Sequence, residues 1–348
     1  MSVQPLNSLT LPHTLLPLPG LVYRSAALQQ VAEQIYRIKD HPSIVLVTGE
    51  SGTGKELVAR ALHKLSHRAN HPFVAYNCSA LPMQLAEAAL FGYRRGAFTD
   101  AKEDSLGVIR AAANGTLFLD EIGELPVELQ PKLLRFLDQG EIHPLGEPQP
   151  QRVNVRIVAA TNADLEERVQ AKTFRDDLYY RLNVFSICLP PLRERGADIG
   201  VLLDHFLQLY GQRAGKPQLR LKREARTALL QYHYPGNVRE LSSIVQRIVV
   251  YGSNQQRISR ANLVQYCPEL GRLTAGGKVV DLKSLLPEHL PIELSLQEVR
   301  VAWGEALERK LIAEALWRHG GNVKRAAADL GWERSTLRNK LKAYKLLA

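Results

Sequence analysis

Gly49-Glu50-Ser51-Gly52-Thr53-Gly54-Lys55 carries the G-x-x-x-x-G-K spacing of a loop that wraps phosphate. Its glycines let backbone N–H groups turn inward around phosphate oxygens. A helix starting at Lys55 adds the positive end of its dipole, and the lysine reaches the outer phosphates. Glu56 stands where a magnesium-binding Ser or Thr is usual. About 65 residues on, Leu117-Phe118-Leu119-Asp120-Glu121 ends an apolar run in two carboxylates. That pattern puts Asp120 and Glu121 at the C-terminal edge of a strand. There Asp120 can hold Mg2+ and Glu121 can polarise an attacking water. Asn162, after the apolar run 155–160, is placed to orient the same water.

Three arginines complete the set. Arg175 and Arg181 lie six apart in FRDDLYYRLN, and Arg239 opens a helix after Pro235-Gly236. Within one chain the first two duplicate Lys55. Offered to a neighbouring copy's γ-phosphate they would be arginine fingers. Arg239 could touch phosphate from a lid. A second chemistry sits at the other end of the chain, where eight basic residues face two acidic ones from Arg318 onward.

These residues need a scaffold, and the pattern supplies one. Short β-branched runs at 43–48, 72–76, 115–119 and 155–160 alternate with amphipathic helical stretches at 56–65 and 129–137. Alternation of this kind predicts an α/β fold with a parallel sheet covered on both faces. After Arg195 the strand signal stops, and helical patterns at 198–210, 222–231 and 237–250 predict a small all-helical lid. Residues 1–20 read as a Pro- and Leu-rich tail or a cut linker, 21–195 as the α/β part, 196–268 as the lid and 269–295 as a linker. Residues 296–348 read as a terminal all-α DNA-binding domain.

In that last part a helix ends at Gly320-Gly321 and a second starts after Asn322, a usable N-cap. Gly331 turns the chain, Trp332 offers an apolar plug, and a third helix opens at Arg334 or Ser335. Ala327, Leu330, Leu337 and Leu341 are spaced to face inward. The result is a helix-turn-helix whose last helix is placed to read a groove. Arg334, Arg338 and Asn339 are suited to base edges, with Ser335 and Thr336 beside them; Lys324, Arg325 and Lys342 suit the phosphate backbone.

The 348 residues carry 45 Lys plus Arg against 35 Asp plus Glu, a formal charge of +10 that fits a nucleic-acid partner. The apolar runs are far shorter than the 18 or so residues of a membrane helix. The N-terminus has no basic n-region, and its apolar stretch is broken by prolines, so it is a poor signal peptide. Three scattered cysteines (Cys78, Cys188, Cys267) make neither a disulfide framework nor a zinc site. A cytoplasmic protein is expected.

The succession GESGTGKELVARALH, FGYRRGAFTDA, GTLFLDEIGELP, LQPKLLRFLDQGE, RIVAATNADL, FRDDLYYRLNVF, LPPLRERGADI and YPGNVREL resembles the AAA+ domain of bacterial enhancer-binding proteins. These ATPases remodel RNA polymerase carrying sigma-54. The resemblance covers about 21–264, and GNVKRAAADLGWERSTLRNKL resembles the Fis-type helix-turn-helix that ends the same family. It implies that Lys55 is the Walker A lysine and that Asp120 and Glu121 are the Walker B pair. Asn77 would restrain the catalytic glutamate. Asn162 would be sensor I, Arg175 and Arg181 trans-acting fingers, and Arg239 sensor II. Glu56 is normal in that family.

The same resemblance implies ATP and Mg2+ as cofactors. It implies a ring built from dimers into a hexamer or heptamer, and an inverted-repeat enhancer as the DNA site. Its sigma-54 contact loop has the signature GAFTGA; here Gly96-Ala97-Phe98-Thr99-Asp100-Ala101 keeps the contact pair Phe98 and Thr99 and replaces the second glycine by Asp100. Arg110 stands where the family has a glutamate, and Asn114 replaces a glycine. The expected function is ATP-driven sigma-54-dependent activation. The open alternative is an ATP-binding, DNA-binding regulator whose GAFTDA loop does not engage sigma-54. The short stretch ahead of Leu21 suggests control by a partner protein in trans or by abundance, or a sensor domain cut away.

Overall fold

The computed structural model describes residues 16–97, 102–254, 257–271, 308, 312, 315 and 322–343. The chain divides into two compact units, Met1–Arg272 and Leu273–Ala348.

In the first unit, α1 (Ala26–Ile38) leads into β1 (Val45–Thr48), followed by α2 (Lys55–Leu65), β2 (Phe73–Asn77), α3 (Met83–Phe91), α4 (Gly107–Ala111) and β3 (Thr116–Asp120). Then come α5 (Gln130–Gln139), the short hairpin β4 (Glu141–Ile142) and β5 (Gln151–Arg152), β6 (Arg156–Thr161), α6 (Leu165–Gln170), α7 (Asp176–Leu182) and β7 (Phe185–Cys188). Five strands form a parallel sheet in the order β2-β3-β6-β1-β7.

Strand side chains alternate between faces, and here both faces are apolar, which is why the strands read as unbroken hydrophobic runs. Val45, Val47, Phe118, Val158 and Ala160 face α1 and α2, where Leu28, Ile35, Val58 and Leu62 complete one core. Leu46, Leu117, Leu119, Ile157 and Ala159 face the other way, onto Leu90, Ile109, Leu133, Phe136, Leu178 and Leu182 from α3, α4, α5 and α7. Each buried Val, Leu, Ile or Phe side chain among these contributes about 1.5–3 kcal/mol. Gly115 admits no larger residue, because a Cβ there would lie 1.9 Å from the Pro72 carbonyl oxygen.

The lid holds α8 (Gly196–Arg213), α9 (Arg223–Leu230), α10 (Asn237–Tyr251) and α11 (Arg260–Tyr266) around Leu203, Leu229, Tyr234, Leu241, Ile244 and Ile248. It is not wholly helical: β8 (Arg220–Leu221) and β9 (Arg257–Ile258) pair in parallel, two residues each, too short for any periodicity to register. Strand β7 also went unpredicted, since FSIC alternates exposed and buried positions over only four residues.

In the second unit, α12 (Val323–Asp329) and α13 (Arg334–Ala343) pack through Ala326, Ala327, Leu337 and Leu341 onto Ile312 and Ala315. Phe98, Thr99 and Asp100 lie outside the described residues.

Candidate functional site

The glycine loop, Asp120, Glu121 and Asn162 lie at the C-terminal edge of the sheet, where ligands of open α/β sheets bind. Strand β1 ends at Thr48 and the loop 49–54 follows. Asp120 ends β3 opposite Asn77 of β2, and Thr161 ends β6 opposite Thr48. The loop's geometry needs its glycines: Gly49, Gly52 and Gly54 have φ of 143°, 78° and 107°. The Lys55 ammonium donates to the Gly49 carbonyl at 2.9 Å and sits 3.8 Å from Glu121 Oε1. Gly52 passes so near the lid that a Cβ would come within 2.4 Å of the Gly236 carbonyl oxygen.

Burial perturbs charges of both signs in this cleft. Burial holds Lys55 below its ordinary pKa, against the opposing pull of Glu121 and Asp120. Burial, and then the neighbouring Glu121, pushes Asp120 above the usual carboxylate range. A site with two adjoining carboxylates beside an anion-binding loop suits a metal-bound triphosphate, whose cation would relieve the carboxylates and whose phosphates would meet Lys55. Glu121 holds a left-handed backbone (φ 50°, ψ 49°), a strained conformation for a long side chain. Its Oε2 accepts the Asn162 backbone amide at 3.2 Å. Lys55, Glu121 and Asn162 are thus already in contact.

The cleft, about 290 Å3, is lined by Ser51, Gly52, Gly54, Lys55, Glu56, Asp120, Glu121 and, from the lid, Phe206, Val238 and Arg239. Arg239 Nη1 donates to Ser51 Oγ at 2.8 Å. Glu56 forms an i,i+4 ion pair with Arg60 at 2.7 Å.

Three candidates do not line this cleft. Asn77 Oδ1 accepts from the Ser79 amide and hydroxyl at 2.9 and 2.7 Å and so caps its own turn, and among the described residues no hydrogen bond joins Asn77 to Glu121. Arg175 pairs with Asp177 at 2.6 Å. Arg181 pairs with Asp138 at 3.0 Å and donates to the Leu137 carbonyl at 2.8 Å. Neither arginine lines the cleft that holds Lys55.

Several polar residues that sequence reasoning passed over join loop to lid. Arg193 pairs with both Glu50 carboxylate oxygens, and Asn237 and Arg195 donate to loop carbonyls. They lie inside LPPLRERGADI and YPGNVREL, from which only Arg239 was singled out. Burial of Asn237, Arg195 and Asp198 marks them, and no spacing rule does.

The base of the loop that carries Phe98 and Thr99 is held by charge. Arg94 bridges Asp104 at 2.6 Å and Glu147 at 2.5 Å, and Tyr93 and Ser105 exchange backbone hydrogen bonds. Arg110 caps the Ser105 and Leu106 carbonyls at 2.9 and 2.6 Å.

In the second unit Asn322 Oδ1 caps α12 through the Arg325 amide, Gly331 turns at φ 67°, and Trp332 packs partly buried against the core. Arg325, Arg334, Ser335, Thr336, Arg338 and Asn339 are exposed; the side chains of Lys324 and Lys342 lie outside the described residues.

The chain matches the Sigma-54 interaction domain over residues 21–188, the AAA+ ATPase lid domain over 193–274, and the Bacterial regulatory protein, Fis family, over 305–344. It is 46% identical over 312 residues to the hydrogenase transcriptional regulatory protein HoxA of Bradyrhizobium diazoefficiens, covering 89% of this chain and 61% of that protein. It is 42% identical over 330 residues to the alginate biosynthesis transcriptional regulatory protein AlgB of Pseudomonas putida, covering 95% and 68%.

A crystal structure of NtrX from Brucella abortus in complex with ATP superposes with a TM-score of 0.64 at 32% identity, covering 93% of this chain and 69% of that one. Across the curated relatives it matches, the chain spans from about half to about two thirds of their length. Among the described residues no helix is long and apolar enough to cross a membrane. With a parallel-sheet AAA+ domain, its lid and a terminal Fis-type helix-turn-helix, the chain belongs to the family of sigma-54-dependent transcriptional regulators.

Proposed function

We propose that the chain binds enhancer DNA, assembles from dimers into a hexameric or heptameric ring, and hydrolyses ATP to remodel the closed complex of sigma-54 RNA polymerase. The observation that carries this reading is a division of the catalytic parts. Lys55, Asp120, Glu121 and Arg239 converge on one cleft, while Arg175 and Arg181 lie outside it, a placement that suits fingers offered to a neighbouring copy's site.

In this reading Gly49, Glu50, Ser51, Gly52, Thr53 and Gly54 form the cradle, and Lys55 and Glu56 start the helix behind it. Lys55 and Arg239 hold phosphate from the two sides of the cleft. Asp120 would hold Mg2+, which when bound supplies charge neutralisation at the phosphates. Glu121 takes the proton of the attacking water, and Asn162, bonded to Glu121 through its backbone amide, leaves its side chain to orient that water. Asn77 would restrain Glu121 by donating from its side-chain Nδ2, its Oδ1 being held by Ser79. Phe98 and Thr99 would deliver the motion to sigma-54.

On DNA, Arg334, Arg338 and Asn339 would read base edges with Ser335 and Thr336 beside them. Lys324, Arg325 and Lys342 would hold phosphates, one helix-turn-helix per half of an inverted repeat. Such work belongs in the cytoplasm, and a regulatory protein acting in trans would be one source of control.

Two experiments test the proposal. Mixed Lys55→Ala and Arg181→Ala subunits should regain hydrolysis that neither has alone; no recovery at any ratio would sink the trans assignment. In an open-complex assay, ATP should convert a closed sigma-54 promoter complex. The presence of Asp100 in GAFTDA favours a second reading, a regulator that does not engage sigma-54. Failure of the wild type in this assay together with success of Asp100→Gly would establish it.

A further inference from the structure

Five successive carbonyls of the phosphate loop each accept a hydrogen bond. Those of Gly49 and Glu50 take Lys55 Nζ at 2.9 and 3.4 Å. The other three are bonded from the lid. Ser51 O accepts Asn237 Nδ2 at 3.0 Å, Gly52 O accepts the Val238 amide at 2.9 Å, and Thr53 O accepts Arg195 Nη2 at 2.8 Å. In a trans peptide the C=O of one residue and the N–H of the next point in opposite directions. Bonding the Ser51 and Thr53 carbonyls to the lid therefore sends the Gly52 and Gly54 amides the other way. Among the described residues neither amide has a protein acceptor, so both are left for an anion.

The donors are themselves fixed. Asn237 is fully buried with φ 53°, and its Oδ1 accepts the Leu192 amide at 2.7 Å. Arg195 is 4% exposed, its Nε has no hydrogen-bond partner among the described residues, and its guanidinium lies 3.9 Å from the Asp198 carboxylate. Asp198 accepts the Arg24 and Ser25 amides at 2.5 and 2.6 Å and the Ser25 hydroxyl at 2.9 Å. The aim of Arg195 is thus set jointly by the loop and by the N-terminus of α1.

We propose that Arg195 and Asn237 are positioning residues for triphosphate binding. They orient the phosphate-facing amides of Gly52 and Gly54, so the loop is competent only while the lid is docked, and Asp198, held by the Arg24–Ser25 backbone, keeps Arg195 on target. The proposal rests on the reading of this cleft as the ATP site. It makes the lid part of the phosphate cradle as well as its cover.

The test uses the full chain, with ATP affinity from calorimetry and a kcat and KM split from steady-state hydrolysis. Arg195→Met should weaken ATP binding and raise KM about tenfold, the loss expected when a loop hydrogen bond is removed. Turnover at saturation should stay within about threefold. Arg195→Lys, which keeps charge and one donor, should recover much of the affinity. Asn237→Gly tolerates the positive φ and removes all three side-chain hydrogen bonds, to Leu192, Glu50 and Ser51, so it repeats the test should the methionine variant fail to fold. If either folded variant binds ATP within about twofold of wild type and only its unfolding temperature falls, the role is structural and the proposal is overturned. Lys55→Ala separates the two readings. If it binds ATP like wild type, the ATP site itself is misplaced and the proposal falls with it. If it loses ATP while Arg195→Met and Asn237→Gly do not, the positioning role alone is refuted.

Discussion

Glu50 meets Arg193 through both carboxylate oxygens, at 2.6 and 2.9 Å, and the same carboxylate accepts Asn237 Nδ2 at 3.0 Å. A residue inside the phosphate loop is therefore tied to the first residues of the lid. These hydrogen bonds, Arg193's above all, hold Glu50 below its ordinary pKa of 4.5. A carboxyl whose folded pKa is depressed contributes stability above its unfolded pKa and loses it as pH falls through the folded value. Glu50→Gln should therefore lower the unfolding transition at pH 7, and the difference from wild type should shrink as pH falls below 4.5 through the depressed folded value. Both side chains are about two-fifths exposed, so solvent screening keeps the difference under about 1 kcal/mol. Parallel unfolding curves at every pH would show that the pair is not ionic in effect.

Lys55 and Glu121 predict different losses from one cleft. Lys55→Ala removes the buried cation that faces both carboxylates, and ATP binding should disappear in calorimetry. Glu121→Gln keeps the size of the side chain and its acceptor for the Asn162 amide, and removes the base. Binding should survive while turnover falls about 10²–10⁴-fold, the usual share of a general base. Equal loss of binding in both variants would count against Glu121 as the base.

His63 gives the fold a pH dependence away from the cleft. Its ring is buried beneath the sheet, with Nδ1 3.0 Å from Thr116 Oγ1. Burial first, then the charge of Arg156, holds it below the ordinary value of 6.5. The folded ring stays neutral where the unfolded one protonates, so stability is intact above about pH 6.5 and falls as pH drops below it. His63→Gln should flatten the fall in unfolding free energy as pH drops below about 6.5. Identical slopes in denaturant titrations would remove His63 as the cause.

Much of this arrangement was legible in the chain because its signals are local. Gly49 to Lys55 and the Leu117–Glu121 run are contiguous, and the strands before them are buried on both faces, so an apolar run and a polar stop mark each one. What escaped is non-local. Asn237 lies 186 residues from Ser51, Arg195 142 from Thr53, and Asp198 173 from Ser25, and no period links them. Their only mark in the sequence is polar character at positions that the fold buries. Asn77 was legible in position and not in partner. Strand register puts it opposite Asp120, yet the Asn77-Cys78-Ser79 turn satisfies its side chain locally.

On α13 the inward residues Leu337 and Leu341 fix which face is left for DNA. Arg334, Arg338 and Lys342 recur every four residues, so they form one stripe on that helix. Their chemistry differs, and that difference is measurable. A guanidinium can bond a guanine edge through two donors, whereas a lysine meets phosphate as a point charge. Arg338→Ala should cost about 1–3 kcal/mol on the cognate site and relax preference at one position of each half-site, with little change on scrambled DNA. Lys342→Ala should weaken cognate and scrambled DNA alike and lower the slope of log affinity against log salt by about 1. Binding titrations at several salt concentrations on both DNAs separate the two. If Arg338→Ala weakens both DNAs equally and shifts the salt slope, Arg338 contacts backbone and base reading falls to Arg334 and Asn339.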